Sequence, residues 1–447
     1  MKLFARLFAS RRPLAFAALA VLAAIGVSAC GSSKKEEKPA AETKASATSS
    51  TTEAAKSSEA APTGHGTINV GNISSIANLG GTFNAFRAGV EAFFEYNNAK
   101  GGINGYKIHF TTIDDEGNPT KAAQAARTLV SEKVVAIVGE ASLADAATQK
   151  YFESQGIPVI GGWATSSAWE APSKNMFVSL QGPQKPLCAS WSNETAKAMK
   201  VTKMAFIAQD FPDAIYDAEC REAGAKAYGI QVVGKIITTS LTQTDYRPAI
   251  QQAMATGANG IYFSTGADGQ IAGMEAGVQL GFKGLYIATQ PAGLLKPLAP
   301  IASKLEGHVI TSAFSLLPSE VSSAGVPELA TAEEGIKKYQ PQYASEITAV
   351  SGWAAGVLFA EALKHVGAEP SKITEYMQKL ENFDFAGLQG PMSYTEGSHP
   401  NECTLPLVLE KDEWVRAPSA EPAPKFNCHS LVTLEGKEIK KISEIVK

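Results

Sequence analysis

Two short stretches of this chain bring hydroxyls and free backbone N–H groups together: Ser142-Leu143, and Trp163-Ala164-Thr165 with Ser166 behind it. Each follows a short apolar run, Val134–Val138 and Pro158–Ile160, long enough for a buried strand but too short for a helix. Ser142 is placed to cap a helix over Ala144–Gln155, and helix N-termini favour anions. Such turns suit the capture of a carboxylate or carbonyl group. Catalytic sets are thin by comparison. The chain has no Gly-x-Ser-x-Gly elbow, no Walker A loop and no Gly-x-Gly-x-x-Gly after a strand. Gly101-Gly102-Ile103-Asn104-Gly105-Tyr106-Lys107 is glycine-rich, but it follows a helix and lacks the Lys-Ser/Thr ending, so it reads as a turn. His65, His109, His308, His365, His399 and His429 show no ligand spacing. Asp114-Asp115-Glu116 reads as a solvated strand end, although three acids together can hold a cation weakly. Neither an enzyme, a metal site nor a cofactor is expected.

The elements that must position these turns alternate strand and helix from Thr67 onward. Ile68–Asn72 reads as a strand, with Asn78 in the turn after it. Thr82–Lys100 reads as an amphipathic helix turning Phe83, Phe86, Val90, Phe93 and Phe94 inward. A strand over Lys107–Ile113 and a helix from Asn118-Pro119 to Ser131 follow. A second series begins after the turn-rich Ser179–Pro186: helix 187–200, strand 203–208, helix 213–228, strand 231–237, helix 245–256, strand 259–264, helix 269–280 and strand 284–288. Helix 346–366 and the segments Phe385–Tyr394 and Thr404–Leu409 close the order. Two consecutive strand–helix series predict two doubly wound α/β lobes with parallel sheets. Ligands of such sheets sit beyond the carboxyl ends of the strands.

At 447 residues and 45% hydrophobic composition, the chain is long enough for two domains or more. Lys2, Arg6, Arg11 and Arg12 precede the apolar run Leu14–Val27, the pattern of a secretory signal over residues 1–29. Without those four cations, 36 basic residues face 44 acidic ones. That balance gives no electrostatic reason to expect nucleic acid. Val27-Ser28-Ala29-Cys30-Gly31 resembles a bacterial lipobox, which implies lipid on Cys30. Ser32–Gly66 is Ala, Ser, Thr, Glu, Lys and Pro for the most part, a composition that cannot bury enough surface to order itself. Residues 30–66 are therefore expected to be a lipidated tether reaching on the order of 30 Å. Four further cysteines in an exported chain predict two disulfides, and four allow three pairings. Cys188–Cys220 and Cys403–Cys428 close the shortest loops. A zinc site from Cys403, Cys428, His399 and His429 lacks the close pair that structural sites use.

Asn97-Asn98-Ala99-Lys100-Gly101-Gly102-Ile103-Asn104-Gly105-Tyr106 leading into Asp114-Asp115 resembles the start of branched-chain amino acid-binding proteins, the type I periplasmic binding proteins of ABC importers. The two turns described above, Thr244-Asp245-Tyr246 and Phe385–Tyr394 resemble that family in the same order. The resemblance implies two Rossmann-like lobes joined by a three-segment hinge, residues 67–184 with 312–390 and residues 185–311 with 391–447. It further implies that Ser142-Leu143 and Ala164-Thr165 hold a ligand carboxylate, with Trp163 as a wall where the family has a small residue. Gln209-Asp210-Phe211-Pro212-Asp213 stands where the family places an aromatic, and Gln290 lies near the acid that holds a ligand ammonium. A neutral Gln290 cannot supply that charge, which leaves Asp213 or Asp268. The expected protein is a monomeric, lipid-anchored solute receptor on the outer face of the bacterial membrane, or in the periplasm. It would hand a small polar molecule (an amino acid, amide, urea or carboxylate) to an ABC permease. The same features fit a sensor lipoprotein that signals through a membrane receptor.

Overall fold

The computed structural model describes residues 64–76, 81–169, 174–180, 188–189, 191–289, 291, 293–395, 401–429 and 431–439. Cys30, Asn78, Gln290, the signal segment and residues 30–63 of the expected tether lie outside the described residues, while Gly66, its last residue, is ordered in the first strand.

The first sheet has five strands: β1 (Gly66–Ser74), β2 (Tyr106–Asp114), β3 (Ala136–Val138), β4 (Val159–Trp163) and β5 (Met176–Leu180). Their order is β2-β1-β3-β4-β5, all parallel. A two-residue strand, β6 (Cys188–Ala189), precedes the second series. That series comprises β7 (Lys203–Gln209), β8 (Gln231–Val232), β9 (Ile237–Thr239), β10 (Gly260–Ser264), β11 (Leu285–Ile287) and β12 (Val309–Ala313). It is completed by β13 (Cys403–Glu410), β14 (Glu413–Arg416) and β15 (Asn427–Cys428). Strands β7 to β12 pair in parallel, and β13 to β15 add antiparallel partners beyond β12. The short strands β16 (Leu431–Val432) and β17 (Glu438–Ile439) complete a small sheet with β6. Continuous apolar strands such as β3 and β10 are buried throughout, as expected where helices cover both faces.

The first sheet is backed by two helices in unusually close contact. A Cβ on Gly89, in the helix Thr82–Ala99, would stand 1.9 Å from the Ala349 carbonyl oxygen of the helix Ile347–Val366. A Cβ on Gly352 would stand 1.8 Å from the Phe86 carbonyl oxygen. Only glycine lets these two backbones meet. Phe93 and Trp353 then interlock edge to face at 5.2 Å. The helix Ile347–Val366 is apolar around most of its circumference because it is a core helix, buried on nearly every side.

Three predicted elements differ in the structure. The helix expected over Ala144–Gln155 is a 3₁₀ turn, Asp145–Ala147, followed by a short α-helix, Gln149–Ser154. Asp145 breaks it because its carboxylate is committed to the neighbouring turn. The helix expected over 187–200 shrinks to Asn193–Ala198, since residues 188–189 pair as a strand with Leu431–Val432. Tertiary pairing overrides helix propensity there. The strand expected over 231–237 is two strands separated by Gly234, which sits at φ 77°. Strands β5 and β12 and the helices Pro327–Tyr339 and Pro370–Met377 carry no sequence expectation. The disulfides join Cys188 to Cys220 and Cys403 to Cys428.

Candidate functional site

The hydroxyl-rich turns lie at the carboxyl ends of the first sheet, and carboxylates from inside the protein occupy their donors. Strand β4 ends with register shifts against β5 at Ile160, Gly162 and Trp163, a bulge that re-aims the strand end. Beyond it, the Asp145 side chain accepts from the Thr165 backbone N–H at 3.1 Å, the Thr165 hydroxyl at 2.7 Å and the Trp169 indole N–H at 2.8 Å. The Ser166 hydroxyl also donates to it. Ser142 is fully buried, and its hydroxyl donates to Asp115 while accepting from the Ala144 N–H at 2.8 Å. The Leu143 N–H donates to the Ser75 hydroxyl at 3.0 Å, and Ser75 in turn donates to Asp115 at 2.6 Å. Leu143 itself is an exposed apolar side chain.

A third acid completes this cluster. Glu140 is fully buried beyond β3, with Thr148 donating to one carboxylate oxygen at 3.1 Å. Its other oxygen has no hydrogen-bond partner. Burial, then the charges of Asp145 and Asp115, push the Glu140 pKa well up, against the pull of Thr148. Burial also raises Asp145, opposed by the hydrogen bonds from Ser166, Thr165 and Trp169.

Next to this cluster a small pocket opens to solvent where the two sheets meet. Trp163 and Leu180, at the ends of β4 and β5, form one wall. Ser312, Ala313 and Phe314, at the end of β12, form the opposite wall with Thr289 and Pro291. The first turn of the helix Ile347–Val366 supplies Ile347, Thr348 and Ser351. Trp163 is only 6% exposed, and its ring packs edge-on against Phe83 at 5.1 Å and Phe86 at 5.8 Å, so the first core fixes this wall.

A smaller pocket adjoins it and shares Thr289 and Ser312. This one is polar. Arg221, from the helix Pro212–Ala227, reaches Asp217 at 3.0 Å and the Tyr262 hydroxyl at 3.2 Å. Its guanidinium stacks 4.1 Å from the centre of the Trp191 ring. Trp191 meets Phe314 edge-on at 5.0 Å, which makes it the partition between the two chambers. Asp217 also accepts from Tyr262 and Ser264, each at 2.8 Å. Burial works against the Arg221 charge, but Tyr262 and Asp217 outweigh it and its pKa is raised.

Of the residues singled out in the sequence, Trp163 lines the cavity, and Ala164 and Thr165 form the turn directly behind it. Phe211, half-buried, precedes the first turn of the helix Pro212–Ala227, and Asp213 is exposed in that turn. Asp268 is exposed in the first turn of the helix Ala267–Leu280. Phe211, Asp213 and Asp268 are not among the residues lining either cavity. Thr289 and Pro291, on either side of Gln290, do line the larger one. Sequence reasoning missed Ser312, Phe314, Thr348 and Ser351, because their strand and helix end carry no turn signature. It also missed Arg221, which looks like any surface helix residue until the fold buries it to 3% exposure.

The chain is 26% identical over 334 residues to Leu/Ile/Val-binding protein homolog 4 of Brucella melitensis biotype 1, covering 70% of this chain and 76% of that protein. The structure resembles an ABC transporter solute-binding protein from R. palustris in complex with 4-hydroxybenzoate, with a TM-score of 0.64 and 19% identity over 81% of this chain and 97% of that one. It also resembles a leucine-binding protein from Thermotoga maritima, with a TM-score of 0.62 and 17% identity over 81% of this chain and 98% of that one. The profile of the family described as periplasmic binding protein matches residues 67–412, and the chain belongs to that family, with the type I fold of its branched-chain amino acid-binding members.

Proposed function

We propose that this chain is the ligand-capturing component of an ABC importer, lipid-anchored through Cys30, and that it closes around one small molecule before presenting it to the permease. Its lobes are residues 67–184 with 312–390, and residues 185–311 with 391–447. The observation that carries this proposal is a cavity walled from both sheets, by Trp163 and Leu180 on one side and Ser312 and Phe314 on the other. A site whose halves belong to different sheets is completed by hinge closure, which is how a ligand becomes a conformational signal to a membrane partner. The relatives support transport over sensing, since a Leu/Ile/Val-binding protein homolog and ABC solute-binding proteins are among them.

A thermal-shift screen of small amides, acids and amino acids followed by titration calorimetry tests the site. Trp163→Ala removes an apolar wall and should cost about 1.5–3 kcal/mol of binding, roughly 10- to 150-fold. Parent-like affinity in Trp163→Ala, combined with weakened binding in Thr165→Val, would move the ligand to the turn behind it.

A further inference from the structure

We infer that the ligand this cavity accepts is uncharged, an apolar body ending in a hydrogen-bonding group of the carboxamide kind. The inference rests on the capture function proposed above and concerns which chemical class the site selects. Three observations carry it.

First, the donors best placed for a ligand anion are consumed from within. Asp145 takes the Thr165 N–H and the hydroxyls of Thr165 and Ser166, and Asp115 takes the Ser142 hydroxyl. A ligand carboxylate reaching that turn would find its hydrogen bonds already made, beside a buried acid. Second, among the described residues the larger cavity is lined by no charged side chain, and the smaller one by a single opposed pair, Arg221 with Asp217. Their charges cancel, so a buried ligand charge of either sign would stay uncompensated, which is costly.

Third, two of the four hydroxyls that line the larger cavity, those of Thr289 and Ser351, offer a donor and an acceptor. Buried Gln270 brackets Thr289: its amide donates to the Thr289 hydroxyl oxygen at 2.8 Å and its carbonyl accepts the Thr289 N–H at 3.2 Å. The Thr289 O–H hydrogen is thereby turned away from Gln270, as a donor. A second chain runs the other way. Gln389 donates to Ser315 at 3.0 Å, Ser315 pairs with Ser351 at 2.8 Å, and Ser351 donates to the Ile347 carbonyl at 3.3 Å. Ser351 has spent its hydrogen and keeps a lone pair. Thr289 and Ser351 thus present a donor and an acceptor, beside the Ser312 hydroxyl, which pairs with Ser192 at 2.9 Å, and that of Thr348. A carboxamide meets both senses, whereas a carboxylate accepts only. Trp163 and Phe314 suit a planar or branched apolar body.

Matched pairs that differ in charge provide the test: benzamide against benzoate, isovaleramide against isovalerate, with leucine as the zwitterion, each titrated into the purified protein by calorimetry. The amide of at least one pair should bind ten times more tightly than its acid. In Asp145→Ala, which frees the Thr165 N–H and the Ser166 hydroxyl while the Thr165 hydroxyl keeps the Ser142 carbonyl, benzoate should gain at least fivefold. An acid or leucine that binds the parent as tightly as the amides overturns the inference and leaves the capture function standing. No binding by any member defeats both. Should Asp145→Ala fail to fold, the parent titrations still separate amide from acid on their own.

Discussion

Each sheet keeps a carboxylate out of water, and the two do so by opposite means. Asp217, beside the second sheet, is met by a full charge, the Arg221 guanidinium at 3.0 Å, with Tyr262 and Ser264 filling its remaining lone pairs. Asp145, beside the first, is met only by dipoles: two hydroxyls, an indole N–H and a backbone N–H. Burial raises the Asp145 pKa against those hydrogen bonds, whereas the pair at Asp217 sustains a buried cation. Dipoles can orient a loop around a buried acid, but they do not remove the cost of its charge. The first sheet accumulates that cost, with Glu140 next to Asp145, and the second neutralises it.

Breaking the neutralised side should have the largest effect. Arg221→Met leaves Asp217 buried without its cation and should destabilise the protein by about 3–5 kcal/mol in urea unfolding. A loss below about 1 kcal/mol would mean that Tyr262 and Ser264 hold Asp217 unaided. On the other side, a gain is expected. The folded state favours protonated Glu140, so the stability linked to this group is fully present below its unfolded pKa, about 4.5, and is lost as pH rises through the elevated folded pKa. Glu140→Gln keeps the acceptor for Thr148 and removes the charge. It should match the parent at pH about 4 and exceed it by roughly 1–2 kcal/mol at pH about 8. A stability difference that does not grow with pH would show that ionisation of Glu140 does not weaken the fold. Smallest of all is the exposed pair, where Arg247 holds the Asp245 pKa at about 2. Asp245→Asn should leave Tm unchanged at neutral pH, because water screens this pair and does not screen the buried ones.

Much of this was legible from residue order. The strand–helix alternation announced the parallel strands of both sheets but not the antiparallel β13 to β15, and Thr82–Lys100 differs from the observed Thr82–Ala99 by a single residue. The turn at Trp163-Ala164-Thr165 was visible as a site of concentrated donors. The partners of those donors could not be read, because Asp145 lies 20 residues before Thr165 and in sequence looks like a solvated helix start. Hydroxyl content says how many hydrogen bonds a turn can make, but only packing says with whom. The cavity was less legible still. Ser312 and Phe314 end one strand, Ile347 and Ser351 begin a helix, and no local pattern links them.

The glycine contact between Thr82–Ala99 and Ile347–Val366 has a consequence for how the protein comes into being. The glycine seam of the first helix is met only by a segment about 250 residues further along the chain. A chain emerging N-terminus first therefore cannot complete its first core until most of its length has been made. The first core is assembled from the two ends of the folded region at once.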